Sequence, residues 1–396
     1  MITFEKNFSS GREDGRYVCT MAAHLAAMRS IRRELALPDN PSPGGFDSWR
    51  RRIAEKTREL LRLPSPSPQP PPKMLWREKR DGYAAEKWEF YPDRFSAVPV
   101  LALVPAGASA ARPVPAVMCY PGSNHSKETL CGEPLPGHPN WPHVAHEERN
   151  RMALHLVREG WAAVAFDNPG IGETSVITDP AAGETQWNTR VQFTHGLLDA
   201  GWSYLGLTVH QRLRFFDFLD AFPWLDRGKI AISSHSLGTE SAVAVALLRE
   251  DVRAVVFNEF LHDDLRRYVA ITEEPENEMT QNVGNWHVVP GRLAAFGFPE
   301  QCAALAPRWL AITEGGPDDA IGLVRRAYEA AGAPERFEVS YYPAFADPAS
   351  RAEHRPIPDR GLTRDEFYRQ YSYCIPEDHS FRAAPAISLL RKAFAR

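Results

Sequence analysis

The chain has 396 residues, 43% of them hydrophobic, and its 46 Lys and Arg against 50 Asp and Glu leave a formal net charge of -4. Such a chain can bury a sizeable core as one large domain or two smaller ones. Without an excess of positive charge it is not drawn to nucleic acid or to anionic membranes, so we expect neither as a partner.

The cysteines and the N-terminus indicate the cellular compartment. Five cysteines are scattered, odd in number and without metal-type spacing, which favours a reducing environment over a disulfide framework. The opening stretch MITFEKNFSSGREDGRYVC has no apolar signal segment, and no run approaches the roughly 20 apolar residues that span a bilayer. We expect a cytoplasmic protein, unless a signal peptide has been removed.

An amphipathic helix is predicted near the N-terminus. The stretch FDSWRRRIAEKTRELLRL places Trp49, Ile53 and Leu61 near one helical face and ends at the proline-rich PSPSPQPPPK, which cannot continue a helix. We therefore expect residues 1–73 to be a helical extension with a connector, packed on the core or on a neighbouring subunit, and residues 74–396 to be the main domain. Homo-oligomerisation through the extension is left open.

Beyond the connector, short apolar strands alternate with longer helical stretches. The predicted strands are AEKWEFY, VPVLALVP, VPAVMCYP, WAAVAFDN, KIAISS, VRAVVFNEF, RWLAITEG and RFEVSYYP. This alternation predicts an α/β fold with a mostly parallel central sheet and helices on both faces. Residues 261–307 and 344–377 are too long and polar for plain connections, so we interpret them as lid and wall insertions over a site at the carboxyl ends of the strands.

The segment KIAISSHSLGTESAVAVALL holds three serines where a strand runs into a helix. A nucleophile elbow needs small residues two positions either side of the serine, because the turn is very tight. Ser236 has Ser234 and Gly238 there, whereas the other registers would place Ile232 or His235 in these positions. Ser236 is the predicted nucleophile, with a helix-capping serine as the alternative interpretation.

A serine nucleophile needs a histidine to take its proton and a carboxylate to orient that histidine. In this fold the chain order is serine, acid, histidine. His379, in PEDHSFRAAP ahead of the last predicted helix, is the expected base, although a helix-capping or surface role is also open. Asp318, in the glycine-rich turn of AITEGGPDDAIGLV, is the expected acid, and Asp319, Glu314 and Glu259 compete with it.

Two backbone N–H groups should stabilise the oxyanion, one after the nucleophile and one in the turn after an earlier strand. Leu237 supplies the first by position. The second is expected in YPGSNHSKE, where Gly122 allows the turn and Ser123 or Asn124 offers the amide.

Several other residues are candidates for substrate contact because they lie in or near predicted loops. They are His125, Trp202, Tyr204, Glu259 and Trp286. The aromatic members, like His287, could stack on a sugar ring, but aromatic side chains more often pack in a core.

A carboxylate also follows the predicted nucleophile by one helical turn. Glu240 shares a helix face with Ser236. The surrounding sequence SAVAVALL is apolar and predicts burial, and an unpaired buried charge would be costly. We expect it to hydrogen-bond to backbone, Arg or His and to brace the turn, the alternative being a solvent-facing residue.

The cluster GHPNWPHVAHEE contains His138, His143 and His146 and has a composition that could bind zinc. It lacks the spacing of a metalloprotease motif, and a loop leading into a helix with glutamates in its first turn explains it more simply. We expect no metal and no cofactor.

Several stretches together resemble the acetyl-xylan-esterase-like branch of the α/β-hydrolases, related to the dienelactone hydrolases. They include AAVAFDNPGIGET, SSHSLGTES, FNEFLHDD, LAITEGGPDD, YYPAFADP and PEDHSF, and the resemblance runs from about Phe46 to the C-terminus. It implies a triad of Ser236, Asp318 and His379 and the hydrolysis of a carboxylic ester, such as an acetylated carbohydrate or another small ester. An amide or carbon–carbon bond as substrate, or an inactive binding protein on the same scaffold, are the alternatives.

Overall fold

Nine strands form one sheet in the computed structural model, which describes residues 10–39, 41–135, 146–175, 186–273, 284–351 and 356–395. The strands are β1 (Lys73–Lys79), β2 (Tyr83–Phe90), β3 (Val98–Pro105), β4 (Val114–Tyr120), β5 (Ala162–Phe166), β6 (Leu225–His235), β7 (Val252–Asn258), β8 (Trp309–Ile312) and β9 (Phe337–Val339). Their spatial order is β1-β2-β3-β5-β4-β6-β7-β8-β9.

The sheet is antiparallel at one side and parallel through the rest. The pairs β1–β2, β2–β3 and β3–β5 are antiparallel, whereas the pairs β5–β4, β4–β6, β6–β7, β7–β8 and β8–β9 are parallel. The carboxyl ends of the parallel strands therefore meet at one edge, where ligands bind in open α/β sheets. The predicted α/β architecture is confirmed.

Helices cover both faces of this sheet. They are α1 (Thr20–Arg29), α2 (Pro43–Leu61), α3 (Lys127–Cys131), α4 (Met152–Val157), α5 (Gln186–Asp199), α6 (Tyr204–Phe216), α7 (Gly238–Leu248), α8 (Asp264–Ala270), α9 (Arg292–Ala295), α10 (Phe298–Ala303), α11 (Asp318–Ala330), α12 (Arg364–Glu366) and α13 (Ala383–Ala395). Alternate strand residues enter two separate cores: Met118 packs with α6, α7 and α10, while Val117 packs with α4 and α13.

Helix α2 belongs to the first of these cores. Its buried residues Phe46, Trp49, Ile53 and Leu61 join the same apolar cluster as the sheet. Ser42 caps the helix by accepting from the backbone N–H of Gly45. The N-terminal segment thus adds apolar surface to the core of the sheet.

Strand β1 is absent from the sequence-based prediction. Its sequence KMLWREK lies at the edge of the sheet and is almost entirely exposed, so it has no apolar periodicity to reveal it. Its charged residues suit an edge strand, because they oppose pairing with another chain.

The packing of α2 predicts a stability difference between two neighbouring positions. Ile53→Ala removes a fully buried side chain, so it should lower the free energy of unfolding by about 2–5 kcal/mol. Arg51→Ala, on the exposed side of the same helix, should change it by less than about 0.5 kcal/mol. Urea denaturation followed by circular dichroism measures both, and equal midpoints would contradict this role of α2.

Candidate active site

Ser236 occupies a strained turn between β6 and α7. Its φ of 51° lies in the left-handed region, which residues other than glycine seldom adopt. Gly238 is required there, because a Cβ atom would lie 2.5 Å from the carbonyl oxygen of Tyr120. Ser234, where many elbows have glycine, is accommodated because its hydroxyl donates to the Val256 carbonyl at 2.7 Å. Local geometry therefore matches a nucleophile elbow.

His379 follows a short turn, Pro376–Asp378, and precedes α13. Its Nδ1 lies 2.7 Å from Oε2 of Glu314, whose side chain is 0% exposed. Glu314 stands two residues beyond the end of β8, at the same sheet edge as Ser236. The structure thus places a histidine–carboxylate pair beside the elbow.

The carboxylate that contacts His379 is Glu314 and not Asp318, the acid expected from the sequence. Asp318 begins α11, and its carboxylate accepts from the Tyr373 hydroxyl at 3.3 Å. Between the two acids the backbone turns at Gly315 and Gly316, which have φ values of 72° and 150°. This turn carries Asp318 away and leaves Glu314 at the strand end, facing the histidine.

The side chain of Asn258 holds this pair in place. Its amide nitrogen lies 3.2 Å from Oε1 of Glu314, 3.1 Å from the Ser380 carbonyl and 2.9 Å from Nδ1 of His235. Its oxygen accepts from the Thr313 hydroxyl at 2.8 Å and from the Arg382 backbone N–H. The end of β7 is thereby connected to the ends of β6 and β8 and to the loop carrying the histidine.

A second carboxylate approaches the other ring nitrogen of His379. Oε2 of Glu259 lies 3.6 Å from Nε2. Burial lowers the pKa of His379, but the charges of Glu259 and Glu314 outweigh it and raise the pKa to about 9. Burial also raises the pKa of Glu259; nearby Glu314 adds to this effect and His379 opposes it.

Ser236, His379 and Glu259 line one cavity of about 250 Å³. Its lining comes from the elbow and strand ends and from both predicted insertions: Ser123, Ser236, Leu237, Thr239, Glu240, Phe257, Glu259, Phe260, His262, Asp264, Arg267, His287, Phe298, Tyr368, Cys374, Pro376 and His379. A cavity of this size suits a small ligand or one part of a larger one.

The expected oxyanion turn follows β4. Ser123 lines the cavity, whereas Asn124 is exposed. The amide of Asn168 donates to the carbonyl oxygens of Pro121 and Gly122 at 3.0 and 3.1 Å, which fixes the turn from the end of β5. Leu237 also lines the cavity and directly precedes α7.

A buried ion cluster lies at the start of α3, the helix that follows this turn. The ammonium group of Lys127, at the start of α3, lies 2.8 Å from Asp167, 2.9 Å from Glu128 and 2.6 Å from Glu173. Burial lowers the pKa of Lys127, but these carboxylates outweigh it and raise the pKa, so the ammonium group stays charged.

The structure separates the predicted substrate-contact residues. Glu259 lines the cavity. Tyr204 and Trp286 are buried against Leu237, and Trp202 is 47% exposed on a different groove. His125 packs edge-on against His235, and burial together with the charge of His379 lowers its pKa to about 4. Tyr204 and Trp286 therefore pack in the core, which was the alternative to substrate contact for the aromatic residues.

Several polar residues of the cavity were not singled out from the sequence. His262, Asp264 and Arg267 come from the first insertion and Tyr368 from the second. The fold brings these insertions to the elbow, and no local sequence pattern indicates which of their residues line the cavity.

One group of described residues has the composition and spacing of a metal site. His235, Glu314 and His379 bring donor atoms within 4.8 Å of one another. Asn258 already hydrogen-bonds to two of them, and the histidine–glutamate hydrogen bond uses the third, so we interpret the group as a hydrogen-bond network. His138 and His143 lie outside the described residues; His146 contacts the Glu377 carbonyl at 2.9 Å.

A serine with positive φ between a parallel strand and a helix, beside a histidine–carboxylate pair, defines the α/β-hydrolase class. The chain belongs to the Abhydrolase family, whose model matches residues 4–392. Among curated proteins, none matches the chain.

Three solved structures are similar to this chain to different degrees. A protein from Bacteroides fragilis NCTC 9343 described as a "putative acetyl xylan esterase" superposes with a TM-score of 0.87 at 33% identity, covering 97% of each chain. The methylesterase BT1017 gives 0.53 at 15% identity, covering 92% of this chain and 71% of its own. A glucuronoyl esterase from Solibacter usitatus gives 0.51 at 13%, covering 79% and 94%. The last two share the fold alone.

Among the helices in the described ranges, none is both long and apolar enough to cross a membrane.

The surroundings of His379 predict a pH dependence. With a pKa raised to about 9, the imidazole is mostly protonated at neutral pH, and only its neutral form can accept a proton. We expect kcat/KM for an uncharged ester to rise about tenfold per pH unit below the pKa and to level off above about pH 9. Glu259→Gln should move the midpoint down by about one to three pH units, because it removes a negative charge 3.6 Å from Nε2.

The pH–rate profiles of the native protein and of Glu259→Gln measure this shift in the midpoint. Glu55→Gln, on the exposed side of α2, serves as the control and should keep the native midpoint. Identical midpoints in the native protein and in Glu259→Gln would contradict the electrostatic role of Glu259.

Proposed function

We propose that this protein is a serine esterase in which Ser236, His379 and Glu314 form the catalytic triad. The observation that carries the proposal is the left-handed Ser236 in the same cavity as a histidine held by a fully buried carboxylate. Metal-independent acyl transfer needs these groups, a nucleophile, a base and an orienting acid.

Each residue has a defined role in the reaction. The hydroxyl of Ser236 attacks the ester carbonyl while Nε2 of His379 takes its proton. Glu314 accepts a hydrogen bond from the Nδ1–H group of His379 and so fixes the tautomer. The imidazolium then protonates the departing alcohol, which leaves an acyl-serine. A water molecule, deprotonated by His379, attacks this acyl group and releases the carboxylic acid and the free serine.

The negative oxygen of both tetrahedral intermediates needs hydrogen-bond donors. The backbone N–H of Leu237 and one from the turn of residues 122–124 are the donors in this proposal. Ser123 is favoured over Asn124 for the second, because Ser123 lines the cavity and Asn124 is exposed.

An ester, and among esters an acetylated carbohydrate or another small ester, is the substrate that the relatives favour. The similar structures are described as acetyl xylan, methyl and glucuronoyl esterases. The cavity of about 250 Å³ fits a small acyl group with part of its alcohol. A panel of acetylated sugars, aryl esters, lactones and amides separates these from the amide and carbon–carbon alternatives.

Covalent labelling tests the nucleophile. A fluorophosphonate should react with Ser236 and add one phosphonyl group, located by peptide mass spectrometry, and Ser236→Ala should lose both the adduct and ester hydrolysis. A folded native protein that is not labelled, or full hydrolysis by Ser236→Ala, would reject the mechanism and favour a binding protein.

The assignment of the acid predicts different results for two neighbouring carboxylates. Glu314→Gln keeps the shape but removes the charge that orients His379, so kcat should fall by about 10³- to 10⁴-fold. Asp318→Asn should change kcat by less than about threefold, because its carboxylate contacts Tyr373 instead. Steady-state kinetics with an aryl acetate measure both, and the reverse ranking would restore Asp318 as the acid.

A further inference from the structure

A second histidine–carboxylate pair faces the same cavity. Nδ1 of His287 hydrogen-bonds to Oε1 of Glu240, and both residues line the cavity with Ser236. Glu240 lies one helical turn beyond the nucleophile and is almost fully buried, whereas the His287 side chain is 26% exposed. The expected partner of Glu240 is therefore a histidine of the first insertion.

The segment that carries His287 is anchored on both sides. Trp286 packs against Leu237, and the amide of Asn285 donates to the Val191 carbonyl at 2.9 Å. The guanidinium group of Arg292 lies 3.5 Å from the carbonyl of His287. The imidazole is thus held by side-chain and main-chain contacts before any substrate arrives, as a recognition group should be.

The hydrogen bond with Glu240 decides what the other ring nitrogen offers. A carboxylate accepts only, so in the neutral ring Nδ1 carries the proton and Nε2 is an acceptor. Within the described residues Nε2 has no hydrogen-bond partner. His262 differs, because its Nδ1 lies 3.2 Å from the Phe260 carbonyl and its Nε2 lies 2.8 Å from Asp264.

We propose that Nε2 of His287 accepts a hydrogen bond from a hydroxyl group of the substrate, so that the preferred substrate is an ester carrying a free hydroxyl close to the ester group. This inference rests on the proposed esterase function. It names a polyhydroxylated alcohol, such as a partly acetylated sugar, because His287 lines the same cavity as Ser236 and pairs with Glu240, which lies one helical turn from the nucleophile. An ester without a donor would leave Nε2 unpaired and be bound less well.

The test compares matched substrates. One is a monoacetylated methyl xyloside with free hydroxyl groups, the second is the same acetate with those hydroxyl groups methylated, and the third is an aryl acetate. Acetate release gives kcat/KM for the native protein and for His287→Leu, which removes the acceptor, and His287→Gln, whose amide oxygen offers another. His155→Leu, outside the cavity lining, is the matched histidine control.

We expect the native protein to prefer the free-hydroxyl xyloside over its methylated form by at least about tenfold. His287→Leu should lose that preference, so the ratio of its kcat/KM values for the free-hydroxyl and methylated xylosides should fall to about one. His287→Gln should recover part of the preference, and His155→Leu should keep it all.

Other outcomes overturn the inference. A native protein without the preference, including one that hydrolyses only the aryl acetate, would show that no substrate hydroxyl is recognised. Equal losses on all three substrates in His287→Leu would make His287 a structural residue or a base of the reaction. Failure of the esterase proposal looks different, because the native protein would then hydrolyse none of the three and leave Ser236 unlabelled.

Discussion

The amide of Asn258 is the contact on which the proposed chemistry depends. It lies at the end of β7, between β6 and β8, and hydrogen-bonds to His235, to Glu314 and to the loop of His379. The amide nitrogen shares its two N–H hydrogens among these three acceptors, and the amide oxygen accepts from the Thr313 hydroxyl and the Arg382 backbone N–H, so one side chain joins several elements. Because these groups are buried, leaving any of them unpaired would be costly, and this cost holds the acid and the histidine in register with the elbow.

The electrostatics follow from that register. Burying Glu314 is tolerated because Asn258 and His379 both donate to it. Glu259 then adds a second negative charge near the same imidazole, which favours the imidazolium in the resting state. Lys127, which begins α3 shortly after β4, is buried among three carboxylates. Both halves of the site therefore combine a buried charge with several fixed partners, and such an arrangement is rigid.

The sheet edge and the two insertions contribute different groups to the cavity. The sheet edge supplies the groups that would carry out acyl transfer, whereas the insertions after β7 and β9 supply much of the polar lining. His287 belongs to the first insertion but pairs with Glu240 on the elbow helix, so the two parts meet one turn from Ser236. Substrate preference can thus change through the insertions while the strand ends stay as they are.

The sequence by itself determined what short-range sterics and periodicity control. Of the three serines between β6 and α7, only Ser236 has small residues two positions either side. The alternation of strands and helices leaves few topologies, and the place of His379 before the last helix follows from that topology. Tertiary structure alone decided which carboxylate meets the histidine. Asp318 and Glu314 are four residues apart, and two glycines with positive φ send one towards Tyr373 and leave the other facing a histidine 65 positions away. The pairing of His287 with Glu240, 47 positions apart, also depends on the tertiary structure. Such contacts are set by the positions of loops in the folded chain, and no local sequence pattern encodes those positions.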